Sequence, residues 1–156
     1  MDSSNLNRIR HILIAVDESE NAERAVRYVA AFLGNIPGFH VTLLNIVMEP
    51  SEDYVNTKEE RQEWIEEQRA KAEDMVDKYR MMLLQAGFEK NKIAATVDIK
   101  SCLSIAQCIL DAQDQLQCST VVIGRRGISK KEEFIFGSTS NKILHIAKNC
   151  SVWVIE

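Results

Sequence analysis

His11-Ile12-Leu13-Ile14-Ala15-Val16-Asp17-Glu18-Ser19 is the stretch on which the fold turns. Its first six residues are a short apolar run rich in branched side chains, which suits a strand buried on both faces. The acidic Asp17 and Glu18 end that run. Beyond them Ala22, Ala25, Val26, Val29, Ala30 and Leu33 recur at three-and-four spacing, the mark of one apolar helix face. Gly34 stops this helix, and Pro37 and Gly38 turn the chain into a second strand, Val41-Thr42-Leu43-Leu44-Asn45-Ile46-Val47.

The alternation then repeats. A polar stretch over 49–57, the part poorest in apolar anchors, leads into a long helix reaching about residue 86. Its apolar positions are Trp64, Ile65, Ala72, Met75, Val76, Tyr79, Met82, Leu83 and Ala86, and Gly87 ends it. Its many Glu, Asp, Lys and Arg read as a solvated face with some pairing four residues apart. Residues 93–99 read as a third strand, 103–116 as a helix, 119–123 as a fourth strand, 139–148 as a short helix and 151–155 as a fifth strand. Strands joined by helical crossovers make a parallel sheet with helices on both faces, because right-handed crossovers lay each helix over one face. The expected class is α/β, a single doubly wound five-stranded parallel sheet.

The 156 residues suit one domain, and 46% hydrophobic with 27% charged residues is the balance of a globular chain. The net charge of −4 argues against a general nucleic-acid binder, whose field is usually basic. No apolar run approaches the length needed to span a bilayer, and residues 1–8 carry no signal-peptide core, so a cytoplasmic protein off the membrane is expected. Cys102, Cys108, Cys118 and Cys150 form no C-x-x-C pair and have no histidine at metal-ligand spacing. They are expected to be reduced thiols packed as small hydrophobes. His11, His40 and His145 are scattered, and no metal site built from side chains alone is expected.

In open doubly wound sheets ligands bind beyond the carboxyl ends of the strands, where the strand order reverses. Two loops are furnished for that. One is Val16-Asp17-Glu18-Ser19-Glu20. The other begins Gly124-Arg125-Arg126-Gly127 and, nine residues later, reaches Gly137-Ser138-Thr139-Ser140. Glycine permits close backbone approach to phosphate, a helix N-terminus offers unpaired N–H groups, the hydroxyls add donors, and the arginines add positive charge. Each feature alone is also ordinary turn and cap chemistry: Asp17 with Glu20 has the spacing of a capping box. There is no G-x-x-x-x-G-K-[ST], no G-x-G-x-x-G after the first strand and no G-x-S-x-G. Nor does a Ser/His/Asp or Cys/His grouping fall at the strand ends.

The spacing G-2x-G-9x-G-[ST], from Gly124 through Gly127 to Gly137-Ser138, resembles the ATP-binding signature of the universal stress protein family. The first strand with Asp17 is similar to that family's opening motif, and the order of elements matches over nearly the whole chain. The resemblance implies residues 1–10 as an extension and 11–156 as the nucleotide-binding domain, with strand order 3-2-1-4-5. It implies that Asp17 meets the adenosine end of ATP, or of AMP, beside the backbone of Ala15, Val16 and Ile46 or Val47. Gly124, Arg126 and Gly127 would follow the ribose and phosphates, and Gly137, Ser138, Thr139 and Ser140 would cradle the phosphates with magnesium or manganese between their oxygens. It further implies a homodimer through strand 151–155.

Two positions depart from the family's habit. Asp98-Ile99-Lys100-Ser101-Cys102 stands where a glycine and a proline often follow the third strand, and Ser151 stands where the last strand often opens with proline. With no base placed to attack a γ-phosphate, the expectation is a nucleotide-binding stress or signalling protein with little or no hydrolysis. ATP would order the Gly127–Gly137 loop and change which protein partner docks. The alternatives are a nucleotide-free interaction module of the same fold and a slow ATPase or self-phosphorylating protein.

Overall fold

The computed structural model describes residues 8–51, 57–125 and 138–156. In chain order its elements are β1 (His11–Ala15), α1 (Glu20–Leu33), β2 (His40–Met48), α2 (Lys58–Gln85), β3 (Ile93–Lys100), α3 (Ile105–Gln115), β4 (Thr120–Gly124), α4 (Ser138–Ile146) and β5 (Ser151–Ile155). The strands pair in parallel in the order β3-β2-β1-β4-β5, the order that the resemblance implies.

Alternation along the strands divides the core in two. Ile12, Ile14, Val41, Leu43 and Val122 face α1 and α2, while Leu13, Leu44, Ile46, Val121 and Ile123 face α3 and α4. Leu13, Ile14 and Leu43 are fully enclosed, each burial stabilising the fold by about 1.5–3 kcal/mol. The six apolar positions read on α1 are all buried. On α2 only Ala72, Val76, Tyr79 and Leu83 are buried, and Trp64 and Ile65 stay part-exposed. Its polar faces carry the expected pairing, Lys71 to Glu67 at 2.6 Å. Gly87 follows at φ +106°, a conformation that side chains oppose.

Several boundaries shift by a residue or two. α3 starts at Ile105 because the Ser104 hydroxyl accepts the Gln107 N–H and so marks the cap. β4 runs one residue further, to Gly124, and α4 ends at Ile146. The cysteine expectation needs a larger correction. Cys102 and Cys108 are joined by a disulfide, because the chain folds back at the start of α3 and brings their Cα atoms to 6.2 Å. Cys118 and Cys150 carry free thiols, Cys118 buried as a small hydrophobe. No helix among the described residues is long and apolar enough to cross a membrane.

Candidate functional site

β1 and β4 lie side by side, Ala15 opposite Ile123, and the helices that come after them in the chain pack on opposite faces of the sheet, α1 on one and α4 on the other. The crevice between their carboxyl ends is the switch point of the sheet. The β1–α1 turn on one side of it is held in four ways. The Val16 N–H donates to the Leu44 carbonyl at 2.9 Å, extending the ladder by one residue. Asn45 Nδ2, buried on β2, donates to the Val16 carbonyl at 2.8 Å. The Tyr79 hydroxyl, on α2, donates to the Asp17 carbonyl at 2.9 Å. The Ser19 N–H donates to Asp17 Oδ1 at 2.9 Å. Burial, then the charges of Glu23, Asp17 and Glu18, push the Tyr79 hydroxyl up to about 12, so it remains a donor at any ordinary pH.

Asp17 is not the helix cap. That place belongs to Ser19, whose hydroxyl accepts the Ala22 N–H at 3.1 Å, while the Asp17 carboxylate closes a short turn ahead of it and stays exposed. Asp17 with Glu20 has the spacing of a capping box, but the cap lies two residues further on, at Ser19.

The cavity in the crevice, about 90 Å³, is walled by Ala15, Val16, Leu44, Ile46, Ile105, Ile109 and Ile123, with Asp17, Ser19, Gly124, Thr139 and Ser140 at its polar side. It adjoins a second cavity of about 290 Å³, formed by Ser104, Ile105, Ala106, Ser138, Thr139 and Lys142. Ile105 and Thr139 line both, so the apolar cavity neighbours one lined by Lys142 and by the N-termini of α3 and α4. Unpaired N–H groups and the positive ends of two helices favour an anion there.

Of the residues singled out from sequence, Ala15, Val16, Asp17, Ile46, Gly124, Thr139 and Ser140 meet in the first cavity, and Ser138 with Thr139 in the second. Val47 lies one pleat away from Ile46 and faces α2, beside Asn45, Lys71 and Met75. Arg126, Gly127 and Gly137 lie outside the described residues. Arg125 turns toward the sheet edge and bonds Glu156 Oε1 at 2.7 Å.

Gly124 has a packing duty the sequence did not suggest. A Cβ there would stand 2.7 Å from the Ala22 nitrogen and closer still to the Asn21 carbonyl, so the first turn of α1 can rest on β4 only because the side chain is missing. Ser140 is buried and donates its hydroxyl to the Gly124 carbonyl at 3.2 Å, tying α4 to the same point. Sequence reading missed Asn45, Tyr79, Ile105, Ile109 and Lys142. The signals were a lone amide inside the apolar β2 run and an isoleucine pair four apart on α3. Among the described residues no group of three or more His, Cys, Asp or Glu is placed to hold a metal.

The profile of the Universal stress protein family matches residues 8–156. The chain belongs to the universal stress protein family. No curated protein matches it. Among solved structures it resembles the hypothetical protein MJ0577, whose structure served to assign a biochemical function (22% identity, 95% of this chain and 96% of that one, TM-score 0.77). It also resembles the universal stress protein of Archaeoglobus fulgidus in complex with dAMP (20%, covering 96% and 99%, TM-score 0.63). A third is a universal stress protein in complex with cAMP (14%, covering 96% and 98%, TM-score 0.68). At these identities the likeness shows a shared universal stress protein fold.

Proposed function

We propose that the crevice between β1 and β4 binds an adenine nucleotide, ATP in the first instance, and that the protein acts as a cytoplasmic nucleotide-dependent stress or signalling component rather than as a catalyst. One observation carries this reading: the apolar cavity at the switch point shares Ile105 and Thr139 with a neighbouring cavity lined by two helix N-termini and Lys142. The apolar walls of the first, Leu44, Ile46, Ile105, Ile109 and Ile123, suit the faces of a base. Asp17 lines this cavity, and its carboxylate would accept from an exocyclic amine or a ribose hydroxyl. Ser138, Thr139 and Lys142 suit the phosphates, and the two hydroxyls are the groups at hand to share magnesium or manganese with phosphate oxygens. Arg126, Gly127 and Gly137 complete that loop by resemblance. The adenine nucleotides in two relatives agree in chemical class.

Asp17 is the one carboxylate among the described residues lining the two cavities, and it lines only the apolar one. The second cavity has no carboxylate among its described lining residues, and we take hydrolysis to be slow or negligible. β5, an edge strand, carries Trp153 edge-on to Tyr28 and Phe32 of α1, and both of those rings are about half exposed. This aromatic edge supports homodimerisation through β5. Mass spectrometry of small molecules released from freshly purified, denatured protein tests the nucleotide reading. Recovered ATP or AMP upholds it. A protein with no ligand that also fails to take up added ATP points instead to a nucleotide-free interaction module.

A further inference from the structure

We propose that Cys102 and Cys108 form a reversible thiol–disulfide exchange site for low-molecular-weight thiols and their disulfides, and that its oxidation state sets the affinity of the adjoining crevice. The proposal rests on the nucleotide reading above. Cys102 lies two residues beyond β3, and Cys108 lies one turn into α3. The bond between them encloses Ser104, the cap of α3, and Ile105, which with Thr139 lines both cavities. Ile109, the other isoleucine that α3 gives to the wall, directly follows Cys108. The bond therefore fastens the wall of the crevice to the loop leading into it. Opening it frees that loop at the point where α3 is capped.

Access and reactivity favour this pair. Cys108 is 6% exposed, whereas Cys102 is only partly covered and its neighbour Leu103 stands 98% exposed. An incoming thiolate thus meets Cys102 Sγ first. It forms a mixed disulfide there, and Cys108 Sγ leaves as a thiolate that takes up a proton. A second small thiol attacks the mixed disulfide, releasing Cys102 as a thiol and the reagent as its own disulfide. Two electrons pass to the protein pair, and the reverse exchange with the oxidised reagent restores the bond. The remaining thiols are poor competitors: burial pushes Cys118 up to about 12 and also raises Cys150, so both stay protonated.

The test uses the full chain equilibrated across ratios of reduced to oxidised glutathione, with thiols alkylated and mapped by mass spectrometry. The expected result is a reversible change confined to Cys102 and Cys108, with circular dichroism unchanged. ATP titration of the two forms should then show the reduced form binding at least about threefold more weakly, as its binding-competent wall becomes a minority state. The Cys102→Ser/Cys108→Ser variant should match the reduced form, and hydrogen exchange over residues 101–109 should rise in both. A pair that stays oxidised at every ratio, or equal ATP affinity in the two forms, overturns the inference alone. ATP bound by neither form removes the nucleotide reading and this inference with it.

Discussion

Replacing Gly124 with alanine separates a packing role from a ligand role at the same atom. The new Cβ would lie 2.7 Å from the Ala22 nitrogen and closer still to the Asn21 carbonyl, and ordinary contact begins near 3.4 Å, so α1 must withdraw by more than about 0.7 Å. The obstacle is helix backbone and cannot rotate aside. Overpacking of this kind costs about 1–3 kcal/mol. Alanine also stiffens the unfolded chain, offsetting about 0.4–1 kcal/mol of that. The difference spans about 0–2.6 kcal/mol and centres on about 1.3 kcal/mol, which lowers Tm by about 3–5 °C in a chain of this size. Thermal melts without nucleotide read this directly, and ATP titration of the folded variant reads the rest. A fall in Tm without nucleotide is the expected result. An unchanged melt with lost ATP binding would refute the packing argument and assign the glycine to ligand approach alone.

Tyr79→Phe leaves the Asp17 carbonyl without its donor, so urea unfolding should show a loss of about 1 kcal/mol together with weaker ATP binding; an unmoved midpoint would count against the hydrogen bond. His11 is held below the ordinary histidine range by burial and then by His40, and His40 by burial and then by Lys92. The unfolded chain therefore takes up protons first as pH falls. Stability should be complete above about pH 6.5 and decline below it, and the decline should flatten in a His11→Gln/His40→Gln variant. If the variant falls as steeply as the wild type, other groups carry the effect. Sedimentation at tens of micromolar, roughly the range of an ordinary dimer, should show two copies associated, and a Trp153→Ala variant should sediment more slowly; a monomeric wild type would refute pairing through β5.

Much of this architecture is legible in local pattern. The run of residues 11–16 has no polar alternation because Ile12 and Ile14 serve one layer and Leu13 the other. The six apolar positions of α1 lie on one face because a helix has that period. What escapes is whatever depends on approach between distant segments. Asn45 and Tyr79 hold the β1–α1 turn from 29 and 62 residues away, and nothing beside either residue announces it. Asp17 and Ser19 both have cap chemistry, and only the backbone decides between them. The cysteine pair six residues apart becomes a bridge because α3 begins between its members. Trp64 and Ile65 follow the helical period of α2 but lie in its first turns, outside the span of α2 that is buried. The crevice at the switch point is readable from Asp17 and the strand ends, whereas its apolar wall on α3 looks like core.

Calorimetric titration of the wild type and Asp17→Ala with ATP tests the central claim most directly. Asp17 is exposed and lines the crevice, so its removal should leave the fold intact. The account predicts saturable one-site binding by the wild type, weakened at least about tenfold in the variant, equivalent to about 1.4 kcal/mol. No binding heat in the wild type, or equal affinity in the two proteins, would contradict it.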